Sequence, residues 1–430
     1  MQRLLRWLRL PSLRFPGGTV GNFYNWTTDK FYTQDVGCTA IETRDFNFEF
    51  GFAGYAEAMA ATNASSVLLF DVIYDRVEDS VARLKARVPV LPRIDWIELG
   101  NENYAIGQSC GQINPKGSSP PHGADYVAFT TKVAAGLRAS GVATIPPLAA
   151  PLVFWSAGWS AGGWNRALTS ARTDAGAPLY DGFVMHPYVG VKDEIFSAVT
   201  AGKMLEASGK MRSVLLEYAN NTGEQHRPLL LTEFGILGTA TGTFVQALGE
   251  ASMLMGILDL ALNKRSVNIV QAGIHILLAG SLTTPSALFA YDPESNATVA
   301  TPTGVIWRKF VQVLAGSTLL GSEAGVAALP SGAPGVDVQA VEGAGGEVSL
   351  LVVNKLGVDA ALRTSNSLGT AETRAELKAC GLEVFTQPAL SWESWPLEQV
   401  DAQFLDKPPA MSVPAMAVAV VKLCGGKERL

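Results

Sequence analysis

The chain has 430 residues, a net charge of −6, and 48% hydrophobic against 17% charged residues. That balance excludes a chain disordered over most of its length, and the acidic surplus with no basic stripe excludes nucleic acid as a partner. Asp259, Gln271 and His275 interrupt the longest apolar stretches, so none reaches the ~18 uninterrupted residues of a membrane span.

The length implies two domains, or one α/β barrel with a smaller partner. The opening MQRLLRWLRLPSLRF has no continuous apolar core and is not a signal peptide. It reads as the end of an amphipathic helix. Short apolar runs then predict strands over 13–18, 66–72, 95–100, 143–149, 181–188, 228–235 and 268–277. Most are near-continuous apolar segments, as in parallel strands covered on both faces. Between them, helical patterns cover 52–63, 79–88, 125–140 (closed by Gly141), 194–220 (broken near Gly209) and 243–264. Strand followed by helix, repeated, implies βα units with right-handed crossovers.

Seven strands are predicted, and eight would close a barrel. The absent one precedes LRFPGG, and the chain starts on what reads as the helix after it. The expected fold is therefore an α/β barrel without its first strand, either truncated at its N-terminus or completed by another segment. A further helix is predicted over 303–314. From about residue 317 the texture changes to short alternating strands at 336–341, 347–354, 371–379, 383–386 and 411–423. Gly, Pro and Ser clusters separate them, which predicts a small antiparallel domain. The expected boundaries are 1–316 for the barrel and 317–430 for the second domain.

Four cysteines, Cys38, Cys110, Cys380 and Cys424, show no CxxC spacing, so no metal or redox motif is expected. Cys380 and Cys424 are candidates to pair in an oxidising compartment. Asn-X-Ser/Thr triplets at Asn25, Asn63, Asn220 and Asn296 are compatible with a secretory route. The compartment stays open, and secretion is expected if a signal peptide precedes Met1 in the full gene product. None of His122, His186, His226 and His275 forms an HxH or HExxH pair, which argues against metal-assisted chemistry.

Four segments carry the candidate chemistry. In DWIELGNENY (95–104) a buried strand runs directly into Asn101 and Glu102. Strand C-terminal ends form the active face of a parallel barrel, where a carboxylic acid can serve as general acid. The alternative is a plain loop opening. In PLLLTEFG (228–235) an apolar strand again ends in a carboxylate, Glu233. Two strand-end carboxylates suit glycoside hydrolysis.

In LRFPGGTVGNFYNW (13–26), Arg14 can hold a carboxylate ionised and oriented. Phe23, Tyr24 and Trp26 either form a stacking wall for a sugar ring or pack on the barrel rim. In MHPY (185–188), His186 and Tyr188 can hydrogen-bond Glu233 or the substrate, or be structural. Trp155 and Trp159 are candidates to line the groove.

The combination of RFPGG, an apolar strand ending GNE and another ending TEFG resembles the clan A retaining glycoside hydrolases. The nearest-looking branches are the arabinofuranosidase-type and heparanase/β-glucuronidase-type families. The resemblance implies a (β/α)8 TIM barrel with an attached C-terminal antiparallel β-sandwich and no cofactor. It implies Glu102 as acid/base, with Asn101 beside it binding a 2-hydroxyl. Glu233 is implied as nucleophile, with Arg14 contacting it. The 131-residue separation (233 − 102) leaves room for three βα units, as fourth and seventh strands require.

The substrate expected is an oligo- or polysaccharide or a glycoconjugate, bound also through His186, Tyr188, Trp26 and Trp155. The competing reading is a non-catalytic carbohydrate-binding protein on a degenerate barrel, motivated by the absent strand.

Overall fold

The computed structural model describes residues 2–32, 51–114, 121–155, 163–190, 207–222, 227–237, 244–262, 267–275, 277–279, 287–292, 296–321, 335–356, 360–361, 377–386, 403–405, 412–413 and 417–425. Cys38, Trp159, His226, the first part of the helix predicted over 194–220 and most of the strand predicted over 371–379 lie outside the described residues. The chain divides into two compact units. One comprises Met1–Pro187, Val214–Glu233 and Arg265–Gly273; the other comprises Tyr188–Ser213, Phe234–Lys264 and Ile274–Leu430.

The first unit is built on a curled parallel sheet of seven strands in sequential order. These are β1 (Ser12–Phe15), β2 (Ser65–Phe70), β3 (Ile94–Leu99), β4 (Leu148–Leu152), β5 (Gly182–Met185), β6 (Leu229–Leu237) and β7 (Ile269–Ile274). The helices of the first unit are α1 (Gln2–Leu8), α2 (Phe52–Thr62), α3 (Val77–Arg87), α4 (Gly123–Arg138) and α5 (Trp164–Ser170), and α6 (Ala207–Thr222) runs from the second unit into it.

Burial follows the apolar runs: every residue of β2 and β4 is buried. Each Leu or Phe so buried contributes about 1.5–3 kcal/mol. Ala149, Val184 and Leu230 from three successive strands pack together with Trp96. Glu78 and Asp79 stand in the first turn of α3, where a helix N-terminus favours negative charge. Asp79 also accepts from the Arg76 backbone N–H at 3.0 Å.

Three elements depart from the sequence reading. The strand placed at 143–149 starts at Leu148, because Pro146 and Pro147 have no N–H to give a ladder. The short helix α5 carries too few residues for its period to stand out in the sequence. The last strand, β7, is only partly covered, with Val270 47% exposed. Gln271 of β7 donates from Nε2 to Ser12 Oγ of β1 at 3.1 Å, so the two end strands of the sheet meet through these side chains.

The second unit contains α7 (Phe244–Leu262), α8 (Pro302–Leu314) and an antiparallel six-stranded sheet. Thr301 caps α8 by accepting from Gly304 N–H at 3.1 Å, with Pro302 in the first turn. The strands are β8 (Thr318–Leu320), β9 (Val336–Glu342), β10 (Val348–Asn354), β11 (Leu377–Phe385), β12 (Gln403–Leu405) and β13 (Ala417–Gly425), in the order β8-β9-β10-β13-β11-β12.

Two segments that read as separate strands on either side of Gly381 belong to one strand, β11, with a bulge between Ala379 and Gly381. A glycine inside a strand pattern marks a bulge as readily as a turn. Lys355, wholly buried, reaches Asp337 at 2.9 Å, and Ser252 of α7 donates to the same Asp337 at 2.6 Å. That triad ties the helix to β9 and β10.

Candidate active site

The site is built from residues on or just after β1, β3, β5 and β6, and Arg14, Glu98, Asn101, Glu102, His186 and Glu233 all lie in the first unit. After β1 the chain turns through Gly17 and Gly18, both at positive φ. At Gly18, φ 61° with ψ −170° is a backbone region only glycine populates freely. A Cβ there would stand 3.8 Å from Glu233 Oε1. The loop backbone thus comes close to that carboxylate.

Arg14 is the hub. Its side chain is 9% exposed and its guanidinium meets three acceptor side chains. Nε and Nη2 take the two oxygens of Glu98 at 2.6 and 2.7 Å. Nη2 also donates to Asn101 Oδ1 at 2.7 Å, and Nη1 donates to Glu233 Oε1. Burial pulls the guanidinium pKa down, but the charges of Glu98 and Glu233 outweigh it and raise it.

His186, from the end of β5, is buried among three carboxylates. Nδ1 lies 3.3 Å from Glu102 Oε1 and 3.8 Å from Glu233 Oε2, and Nε2 lies 3.7 Å from Glu98 Oε1. Nε2 also meets Thr232 Oγ at 2.9 Å. A hydroxyl serves either protonation state of the ring, since it can accept or donate. Burial alone would favour neutral imidazole. The charge of Glu233 and hydrogen bonds to Glu102 and Glu98 more than offset that, and push the His186 pKa up to about 9. At pH 7 the ring is imidazolium.

Glu102 sits at φ 45°, uncommon for a residue with a side chain. Three donors face its carboxyl: His186, Tyr104 Oη at 3.1 Å and Gln108 Nε2 at 3.2 Å. Burial pushes the Glu102 pKa up, but the hydrogen bond and charge of His186 prevail and leave it below the usual value. Burial and the Glu102 charge together raise Tyr104 well above the phenol range.

The structure therefore brings Arg14, Asn101, Glu102, His186 and Glu233 into one cluster. Trp155 joins at one remove: it is 46% exposed and stands edge-on to Tyr104 at 5.3 Å. Trp26 instead packs by Arg87 of α3, 5.8 Å from ring to guanidinium, and accepts from Arg87 on its carbonyl. Phe23 and Tyr24 are buried, which is the rim-packing alternative. Tyr188 belongs to the second unit, edge-on to His275 at 5.9 Å.

Sequence reasoning missed Glu98, Gln108, Tyr104, Asn22 and Thr232. Glu98 had a visible signal: a charge inside the apolar run DWIELG. Fully buried ions cost stability unless paired, and clusters of perturbed groups mark sites of chemistry. Among the described residues no group of three or more His, Cys, Asp or Glu is arranged to hold a metal ion, and no helix is long and apolar enough to cross a membrane.

No protein-family model and no curated protein matches the chain. Solved structures do. An arabinofuranosidase of glycoside hydrolase family 51 from Xanthomonas axonopodis pv. citri superposes with a TM-score of 0.69 at 14% identity, covering 98% of this chain and 89% of that one. The α-L-arabinofuranosidase from Thermotoga maritima gives 0.70 at 13%, covering 99% and 89%. A 4-O-α-L-rhamnosyl-β-D-glucuronidase from Fusarium oxysporum gives 0.61 at 13%, covering 98% and 91%. The resemblance read from RFPGG, GNE and TEFG extends to the fold.

Proposed function

We propose that the chain is a glycoside hydrolase that cleaves O-glycosidic bonds by a retaining double displacement. One observation carries the reading: His186 Nδ1 touches both acids, so an oxygen of Glu102 and an oxygen of Glu233 lie within 7.1 Å (3.3 plus 3.8). That ceiling admits the ~5–5.5 Å carboxyl separation of a retaining pair. The glycosidase neighbours add support through the shared fold.

Glu233, kept ionised by Arg14, attacks the anomeric carbon. Glu102 gives a proton to the leaving oxygen, and a glycosyl-enzyme forms on Glu233. The Glu102 carboxylate then takes a proton from water, whose oxygen attacks the same carbon and frees Glu233. In the resting site Glu102 is ionised, and the imidazolium of His186, 3.3 Å away, supplies its proton. After deglycosylation that proton returns to His186.

Asn101 Oδ1 accepts from Arg14 with one lone pair and offers the other to a sugar 2-hydroxyl. Trp155 and Tyr188 are proposed sugar contacts, and Trp26 a more distant one. In this reading residues 1–316 form the (β/α)8-type barrel and 317–430 the β-sandwich domain, with no cofactor. The substrate is an oligo- or polysaccharide or a glycoconjugate.

The test is Glu102→Gln and Glu233→Gln on aryl arabinofuranosides, xylosides and glucuronides. Each variant is expected to lose about 10²–10⁴-fold in turnover. Undiminished turnover in either removes the mechanism.

A further inference from the structure

The amides around Glu102 are oriented by elimination. Arg14 Nη2 can only donate, so the Asn101 atom facing it at 2.7 Å is the carbonyl Oδ1. Asn101 Nδ2 must then point the other way, to Gln108 Oε1 at 2.9 Å. The same Oε1 also accepts from Asn22 Nδ2 at 2.9 Å. Two donors on one oxygen fix which end of the Gln108 carboxamide is which. Its Nε2 is therefore turned to Glu102 Oε2, at 3.2 Å. Asn22, fully buried, also grips the Asn101 backbone, accepting from its N–H at 2.8 Å and donating to its C=O at 2.6 Å. A one-way donor chain thus runs from Arg14 through Asn101 and Gln108 to the carboxyl of Glu102.

We propose that Gln108 is a positioning residue: its locked amide holds Glu102 in its left-handed backbone pose and favours the ionised carboxyl, the form needed to activate water. The proposal rests on Glu102 as the acid/base. The other groups facing Glu102 are Tyr104 from its own loop, His186 from the end of β5 and the charge of Glu233 on β6. Among them Gln108 is the neutral donor whose direction is dictated by its neighbours. An amide donor to a carboxylate lowers its pKa, and a second carboxyl in that place raises it.

The experiment compares Gln108→Glu and Gln108→Met with wild type. Carboxyl titration by ¹³C NMR is the first readout, with the Glu102 resonance assigned from Glu102→Gln. The pH profile of kcat on the aryl glycosides is the second. Gln108→Glu is expected to raise the Glu102 pKa by about one unit or more, and Gln108→Met by less. The acid limb of kcat moves up in the same order, because the ionised Glu102 that activates water forms only at higher pH, and release of the glycosyl-enzyme slows.

An unmoved Glu102 titration in a variant folded by circular dichroism overturns the proposal, as does a uniform loss of rate with both limbs in place. If Gln108→Glu does not fold, the Gln108→Met titration decides. A wild type without turnover, whose Glu102 titration still answers to Gln108, overturns the glycosidase reading and supports the positioning role.

Discussion

Arg14 of β1 and Glu98 of β3, on the two strands that flank β2, form a forked ion pair, Nε to Oε2 at 2.6 Å and Nη2 to Oε1 at 2.7 Å. Glu98 is fully buried. With two points fixed, the guanidinium plane has one orientation, and Nη1 is aimed at Glu233. Glu98→Gln is expected to keep the fold but loosen the fork and lower kcat about 10–100-fold. Arg14→Lys loses the two-point geometry and is expected to cost as much. Steady-state kinetics on the aryl glycosides, with circular dichroism as control, check both.

His186 gives a pH dependence with a defined sign. Its folded pKa, about 9, lies above the unfolded value of ~6.5. Its contribution to stability is fully present below pH ~6.5 and is lost as pH rises through about 9. Thermal midpoints should fall over that window, and less so in His186→Asn. Turnover should decline through the same alkaline range as Glu102 loses its proton source. A wild-type rate flat from pH 7 to 10 would contradict the relay.

Much of this site was legible because a strand covered on both faces reads as a plain apolar run, and a carboxylate at its end breaks the pattern. Glu102 and Glu233 stood out for that reason, and Arg14 stood near them by its place on a strand. Glu98 showed as a charge inside an apolar run but with no visible role, because its partner is 84 residues away in sequence and only the folded sheet brings them together. Gln108 and Asn22 are ordinary loop amides until the direction of each hydrogen bond is traced. The strand start at Leu148 and the single strand β11 were misjudged for local reasons, a proline pair and a glycine at a bulge.

Lys355 tests the second unit. Burial raises the Asp337 pKa, and Lys355 partly offsets it. Removing one partner of a buried pair strands the other charge, at a cost of about 3–5 kcal/mol. Lys355→Met should lower the urea midpoint accordingly, and adding Asp337→Leu should recover most of it.

Cys110 and Cys380 are both disulfide-bonded, and among the described residues no cysteine is free. Alkylation of denatured, unreduced protein should leave both unlabelled. The bond at Cys380, which sits at the bulge of β11 beside β13, is expected to link to the peptide of Cys424. Reduction should cost about 2–5 kcal/mol per bond. Such bonds persist in oxidising compartments.

The most direct measurement is covalent trapping. Wild-type protein is treated with 2-deoxy-2-fluoro glycosides carrying good leaving groups, and the digest is analysed by mass spectrometry. One sugar on the peptide containing Glu233, slowly released and absent in Glu233→Gln, is the predicted result. Turnover of the parent glycoside with no label on Glu233, or a label on another residue, would contradict the account.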